Sequence, residues 1–245
     1  MSGAKERELL DPAEVIGAWA RRALELGSEM DRAIFEREFG ELYQEVGWFK
    51  RTRLNLYRFA QLGLLTRIVV NNEISGDYVE FGTWRGGSLY LVAHEWRRLG
   101  QQRQLFGFDS FEGLPEPDGC RDGHALHAGM FGDNDFEETN QFFVDKGLNG
   151  VHLIRGWFSD TIGALADKQV ALCHIDADCY DSVKLALEWT YDRVVPDGFI
   201  VVDDYRHPAC SGATIAVEEF FARRREEVHQ SPGIDCSGWI RKSSS

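Results

Sequence analysis

The chain has 245 residues, 43% hydrophobic and 12% aromatic, enough for one sizeable α/β core with an N-terminal extension. Its formal net charge of −13 argues against nonspecific nucleic-acid binding, because neutralising phosphates takes an excess of Lys and Arg. No run of about 18 apolar residues could span a bilayer, and the charged start MSGAKERELLDP lacks the apolar stretch of a secretory signal, so a cytoplasmic protein with no membrane partner is expected.

In chain order, residues 11–27 place Val15, Ile16, Trp19, Ala20, Ala23 and Leu24 on one helical stripe, with Asp11 as N-cap and Pro12 at the first helical position. Residues 31–46 and 53–72 are further predicted helices, the second with Leu54, Tyr57, Leu62 and Leu65 on its apolar face. Residues 1–72 are therefore expected to form a helical cap or lid on a domain of residues 73–245. From residue 76 the pattern changes. GDYVEF is a short apolar strand that enters a glycine-rich turn, and SLYLVAHEWRRLG is a helix. QLFGFDS, VHLIRGWF, VALCHIDAD and GFIVVDDY are four more strands, with helices predicted over Ser182–Tyr191 and Ala213–Arg225. Continuous apolar strands alternating with helices predict a parallel sheet covered on both faces. EEVHQ and GWIRK are expected to close it with an antiparallel hairpin. Glu112–Asp135, rich in Gly, Pro and Asp, is a long surface loop of the kind that covers a site. The five cysteines contain no CxxC pair, which supports neither a zinc ribbon nor a disulfide framework.

The first strand ends in Glu80-Phe-Gly-Thr-Trp-Arg-Gly-Gly-Ser88. Such a turn suits a nucleotide-type cofactor lying over the carboxyl ends of the strands: Gly82 lets the backbone approach, and the helix starting near Gly87–Ser88 offers N–H groups to a carboxylate. GxGxxG is absent, and ExGxxxGxS fits a methyltransferase better. Asp109, 29 residues after Glu80, is placed to accept from ribose hydroxyls. Phe158 and Ser159 follow the third strand, where an adenine would lie. Packing glycines, a loop-anchoring Asp109 and aromatics packed on a helix are the alternatives.

The fourth strand ends on Asp176 and Asp178, and the fifth on Asp203 and Asp204, 27 and 28 residues after Asp176. Adjacent strands bring these carboxylates to one edge, where they repel unless a cation or protons intervene. An oxygen-only set, with no Cys or His cluster close in sequence, suits Mg²⁺ or Mn²⁺ rather than zinc. Solvated helix-capping acids are the alternative.

GDYVEFGTWRGGS (76–88), FGFDSFEGLP (106–115), IRGWFSDTI (154–162), HIDADCYDSVK (174–184) and GFIVVDDY (198–205) together resemble the macrocin O-methyltransferase family, which methylates sugar hydroxyls in antibiotic pathways. The resemblance covers about residues 50–225. It implies a Rossmann-like class I methyltransferase fold, mostly parallel, and S-adenosylmethionine as methyl donor. It also implies a Mg²⁺ held by Asp176, Asp203 and Asp204, and cofactor contacts from Glu80, Gly82, Thr83, Ser88, Asp109, Ser110, Phe158 and Ser159. Asp178 is left beside the metal rather than on it. Family members are commonly oligomeric, so a homo-oligomer is expected.

The more distant catechol O-methyltransferases place a lysine base where this chain has Cys179. The candidate proton acceptors here are Asp176 itself, then His207 and His174, with Lys184 an outsider. The expected activity is methyl transfer to a sugar hydroxyl of a glycosylated small molecule or nucleotide sugar. Arg51, Arg53 and Arg58 are placed either to meet a diphosphate or to face solvent. Two other activities fit the same motifs: methylation of a catechol or phenol, and noncatalytic binding of S-adenosylmethionine or a sugar nucleotide.

Overall fold

A computed structural model describes residues 10–16, 18, 36–47, 50–230 and 236–244. Helical backbone at residues 12–16 (α1) starts as its sequence requires, with the Asp11 carboxylate accepting from Ala13 N–H at 2.8 Å. Trp19, Ala20, Ala23 and Leu24 of the predicted stripe lie outside the described residues. The second predicted helix is described from residue 36: a π-helical stretch, Glu36–Gly40, runs into α2, Glu41–Val46. The third, α3, spans Leu56–Asn71 and starts three residues later than predicted, because the Asn55 side chain caps it by accepting from Arg58 N–H.

Strands β1 (Asp77–Phe81), β2 (Leu105–Asp109), β3 (Val151–Arg155), β4 (Val170–Ile175) and β5 (Val194–Val202) pair in parallel in the order β3-β2-β1-β4-β5. Strand β7 (Gly238–Arg241) adds antiparallel to β5, and β6 (His229–Gln230) pairs outside it, which gives the predicted terminal hairpin. The chain builds outward from β1 to β3, then returns to lay β4 on the other side of β1. That reversal opens a crevice at the carboxyl ends of β1 and β4, where ligands bind in open α/β sheets.

Successive strand residues feed two separate cores. Tyr78, Leu172, Phe199 and Val201 face α3 and α4 (Gly87–Arg98), while Val79, Cys173, Ile200 and Val202 face α7 (Tyr180–Tyr191) and α8 (Ser211–Phe221). Burial on both faces explains the continuous apolar runs. Strand β3 differs: as the sheet's edge it is only half-buried, and its Val-His-Leu-Ile-Arg sequence carries polar residues accordingly. Helix α5 (Phe136–Asp145), not foreseen in the sequence, follows the long loop and is capped by Asp135 accepting from Glu138 N–H. A short helix, α6 (Phe158–Thr161), follows β3. Among the described residues no helix is long and apolar enough to cross a membrane. Cys173, Cys179, Cys210 and Cys236 are buried and Cys120 is exposed, all as free thiols.

Candidate active site

The turn after β1 is fixed by packing. Gly82 has φ +89°, and a Cβ there would lie 1.8 Å from the Asp176 carbonyl oxygen, so only glycine lets β1 and β4 close together at their ends. Trp84 N–H then donates to Asp109 Oδ2 at 2.7 Å, and Phe111 N–H donates to Asp109 Oδ1 at 2.7 Å. Asn134 Nδ2 adds a third bond to Oδ1 at 3.1 Å. Burial raises the Asp109 carboxyl pKa, and these three donors oppose that rise. Asp109 thus ties together the glycine turn, its own strand end and the end of the long loop.

The expectation that α4 offers its first N–H to a ligand needs correction. Gly87 N–H donates to the Arg51 carbonyl at 2.8 Å, and a Cβ on Gly87 would meet that oxygen at 2.4 Å. The segment entering α3 crosses the helix start, and this contact between residues 36 positions apart has no local sequence signal.

The long loop is anchored rather than loose. Leu114 and Met130 pair at its neck, with Leu114 N–H donating to Met130 O at 2.8 Å. Farther out, the buried Asp122 accepts from Tyr180 N–H at 2.7 Å through Oδ1 and from Asp118 N–H at 2.7 Å through Oδ2. That external cap lets α7 begin at Tyr180, two residues before the predicted Ser182.

These elements enclose a cavity of about 560 Å³ at the carboxyl edge of the sheet. Gly82, Asp109, Ser110, Phe158, Ser159, Asp176, Asp203, Asp204 and His207 line it, as does Asp178. Arg53 and Arg58, foreseen only as possible anion contacts, form part of its wall with Trp84, Phe131 and Trp157. The other three expected cofactor residues are not part of that lining. Thr83 and Ser88 are buried beside it, and Glu80 is fully buried, accepting from the Tyr78 hydroxyl at 2.6 Å. His174 lies next to Glu80 on the same sheet face, with Nδ1 3.4 Å from Glu80 Oε2 and Nε2 3.9 Å from Asp203 Oδ1. Burial opposes a charge on His174, but Asp203 and Glu80 outweigh it and raise the ring to about 10. This setting favours the protonated ring, which weighs against His174 as the base. Lys184 points away from the cavity, its Nζ 3.3 Å from the Tyr180 hydroxyl.

The four aspartates diverge in their partners. Asp203 is ion-paired with Arg58, which α3 brings onto that face of the sheet. Burial opposes the Arg58 charge, and Asp203, Asp176 and Asp204 more than restore it. Oxygens of Asp176, Asp178 and Asp204 converge within 4.8 Å of one another. Burial, then mutual repulsion, pushes Asp176 and Asp204 well above the carboxylate range, and burial raises Asp178 to about 6. Such a set is poised to take up a hard cation. A mixed donor group also lies beside the carboxylates: donor atoms of His207 and Cys210 sit within 4.8 Å of each other and of an Asp204 oxygen. Burial and Arg58 hold the His207 ring below its usual pKa.

A family model described as Macrocin-O-methyltransferase (TylF) matches residues 28–238. The 8-demethyl-8-(2,3-dimethoxy-alpha-L-rhamnosyl)-tetracenomycin-C 4'-O-methyltransferase of Streptomyces olivaceus is 34% identical over 66% of this chain, and the match spans 65% of that protein's length, just under two thirds. Demethyldecarbamoylnovobiocin O-methyltransferase of Streptomyces niveus is 30% identical over 70% of this chain and 68% of its own. The solved structure of the O-methyltransferase NovP superposes with a TM-score of 0.70 and 25% identity, covering 92% of this chain and 100% of that one.

Proposed function

The chain belongs to the macrocin O-methyltransferase family, and from that premise we propose that it transfers a methyl group from S-adenosylmethionine to a sugar hydroxyl of a glycosylated natural product, with Mg²⁺ as cofactor. The observation that carries this reading is the single cavity in which the glycine turn and the converging carboxylates meet. The aromatic wall of Trp84, Phe131 and Trp157 favours an acceptor with a large apolar body over a small free sugar. The rhamnosyl-tetracenomycin acceptor named for the Streptomyces olivaceus relative is such a molecule.

Gly82, Asp109, Ser110, Phe158 and Ser159 take the cofactor in this reading, Thr83 and Ser88 are buried next to them in sequence on the glycine turn, and Glu80 braces the strand end. Glu80 does so through Tyr78 and His174. Crowded buried oxygens with raised pKa values at Asp176, Asp178 and Asp204 fit a divalent cation, and Asp203, paired with Arg58 beside them, would complete the set that holds it. When bound, a divalent ion acidifies and orients the acceptor hydroxyl. Arg58 fixes the Asp203 carboxylate from α3, and Arg53, in the segment leading into that helix, adds to the cavity wall. His207 lines the cavity, and burial and Arg58 hold its ring pKa down, which favours the neutral ring as a proton acceptor beside Asp176. Cys179 stands buried where a lysine base would be in the catechol enzymes, so it contributes no base. A second reading, a phenol acceptor, draws on the same aromatic wall.

The test is methyl transfer from labelled S-adenosylmethionine across glycosylated scaffolds, nucleotide sugars and catechols, with and without EDTA. Turnover of a glycosylated scaffold that EDTA abolishes and Mg²⁺ restores is expected. Turnover indifferent to EDTA sinks the metal assignment, and the absence of cofactor binding by calorimetry sinks the whole reading.

A further inference from the structure

Just past the carboxylates, two successive three-residue turns run on from β5. His207 N–H donates to the Asp204 carbonyl at 3.0 Å, and Cys210 N–H donates to the His207 carbonyl at 3.1 Å. Spacing of this kind stacks residues i, i+3 and i+6 on one side of the backbone, and Arg206 turns the corner with φ +65°. The outcome is a carboxylate, an imidazole and a thiol whose donor atoms all lie within 4.8 Å of one another. All three residues line the cavity, and Asp204 and Cys210 are buried.

We propose that Asp204, His207 and Cys210 form a second metal site, selective for a soft divalent ion such as Zn²⁺, that overlaps the oxygen site through Asp204 and excludes Mg²⁺ when filled. The chemistry of the donors carries the selectivity. Thiolate and imidazole prefer zinc, whereas Mg²⁺ takes oxygen and keeps several waters. Three protein donors that all line the cavity match a zinc site that keeps a fourth position for a non-protein ligand.

Binding is balanced by one proton. Cys210 Sγ, which donates to Asp178 Oδ1 at 3.4 Å, forms the metal–sulfur bond and releases its proton to solvent. Coordination through either nitrogen of His207 displaces the 3.2 Å contact from Ala209 N–H to Nδ1. An ion held here occupies both a carboxylate of the oxygen site and the proposed proton acceptor, so it inhibits. The binding itself is independent of which acceptor the protein methylates.

The experiment uses the full chain, stripped of metal by chelator and titrated with Co²⁺. A thiolate-to-cobalt charge-transfer band in the near ultraviolet, with intense visible bands of tetrahedral cobalt, is expected. Cys210→Ser loses the charge-transfer band, Cys120→Ser keeps it, and His207→Ala weakens Co²⁺ binding by at least about 10-fold. Excess Mg²⁺ lowers the band by competing for Asp204. Weak octahedral absorption alone in the parent chain overturns the proposal, as does a band that survives in Cys210→Ser. Should that variant fail to fold, unchanged Co²⁺ affinity in His207→Ala decides against the site, and a band insensitive to saturating Mg²⁺ removes the shared ligand.

Discussion

Two groups of aspartates occupy the same sheet edge under opposite conditions. Asp109, at the end of β2, has its oxygens met by Trp84 N–H, Phe111 N–H and the Asn134 amide. Asp176, Asp178 and Asp204, at the ends of β4 and β5, face chiefly one another, and their pKa values rise through burial and mutual charge. A satisfied buried carboxylate organises backbone, whereas crowded ones store repulsion that a bound cation relieves. Residue type and strand position alone do not separate the two roles; the donors around each oxygen do.

The sharpest way to break this contrast is Asp204→Ala. It is expected to lower kcat/KM for methyl transfer by about 10³-fold or more, roughly 4 kcal/mol of transition-state stabilisation, while the melting temperature in EDTA does not fall. A large loss of melting temperature would mean that the acidic group is structural after all. Next in size, Asp109→Ala leaves two backbone N–H groups and the Asn134 amide without their acceptor. Unfolding in urea is expected to show a loss of about 2–4 kcal/mol, and an unchanged midpoint would place Asp109 with the crowded acids. The smallest effect lies at Glu95 on α4. Burial acts to raise its carboxyl, but His94, Arg98 and Arg67 overcome that and hold it well below the usual range. A carboxyl lowered on folding stabilises the protein above its unfolded pKa of about 4.3, and that part is lost as pH falls below it. Glu95→Gln is therefore expected to flatten acid unfolding below about pH 4.3, with little change at pH 7 in the slope against pH. Glu95 thus extends the satisfied class beyond the sheet edge.

Much of the architecture was legible in the sequence because it is local or periodic. The apolar runs of β1, β2, β4 and β5 reflect burial on both faces, and the motifs GDYVEFGTWRGGS and GFIVVDDY fall at the strand ends they mark. The terminal hairpin was readable in the same way. Helix α5 was not, because the Gly- and Pro-rich loop before it masked its Asp135 cap. Most residues singled out in the sequence do line one cavity, but their partnerships were not readable. Arg58 reaches Asp203 across 145 positions, and Asp122 caps α7 across 58. Such contacts exist only once helices and loops are laid on the sheet. The His207–Cys210 spacing was visible in the sequence, yet its meaning depended on the turn geometry that aligns both with Asp204.

The tight approach of Gly82 to the Asp176 carbonyl also bears on how relatives of this chain are to be judged. Steric fit alone preserves that glycine, so a descendant that has given up methyl transfer would keep it for as long as it keeps the fold. Asp176, Asp178 and Asp204 have no such steric protection: burial and mutual charge raise their pKa values, so packing alone does not call for three acids there. Retention of the glycine turn therefore reports the fold, and retention of the acids bears on the proposed chemistry.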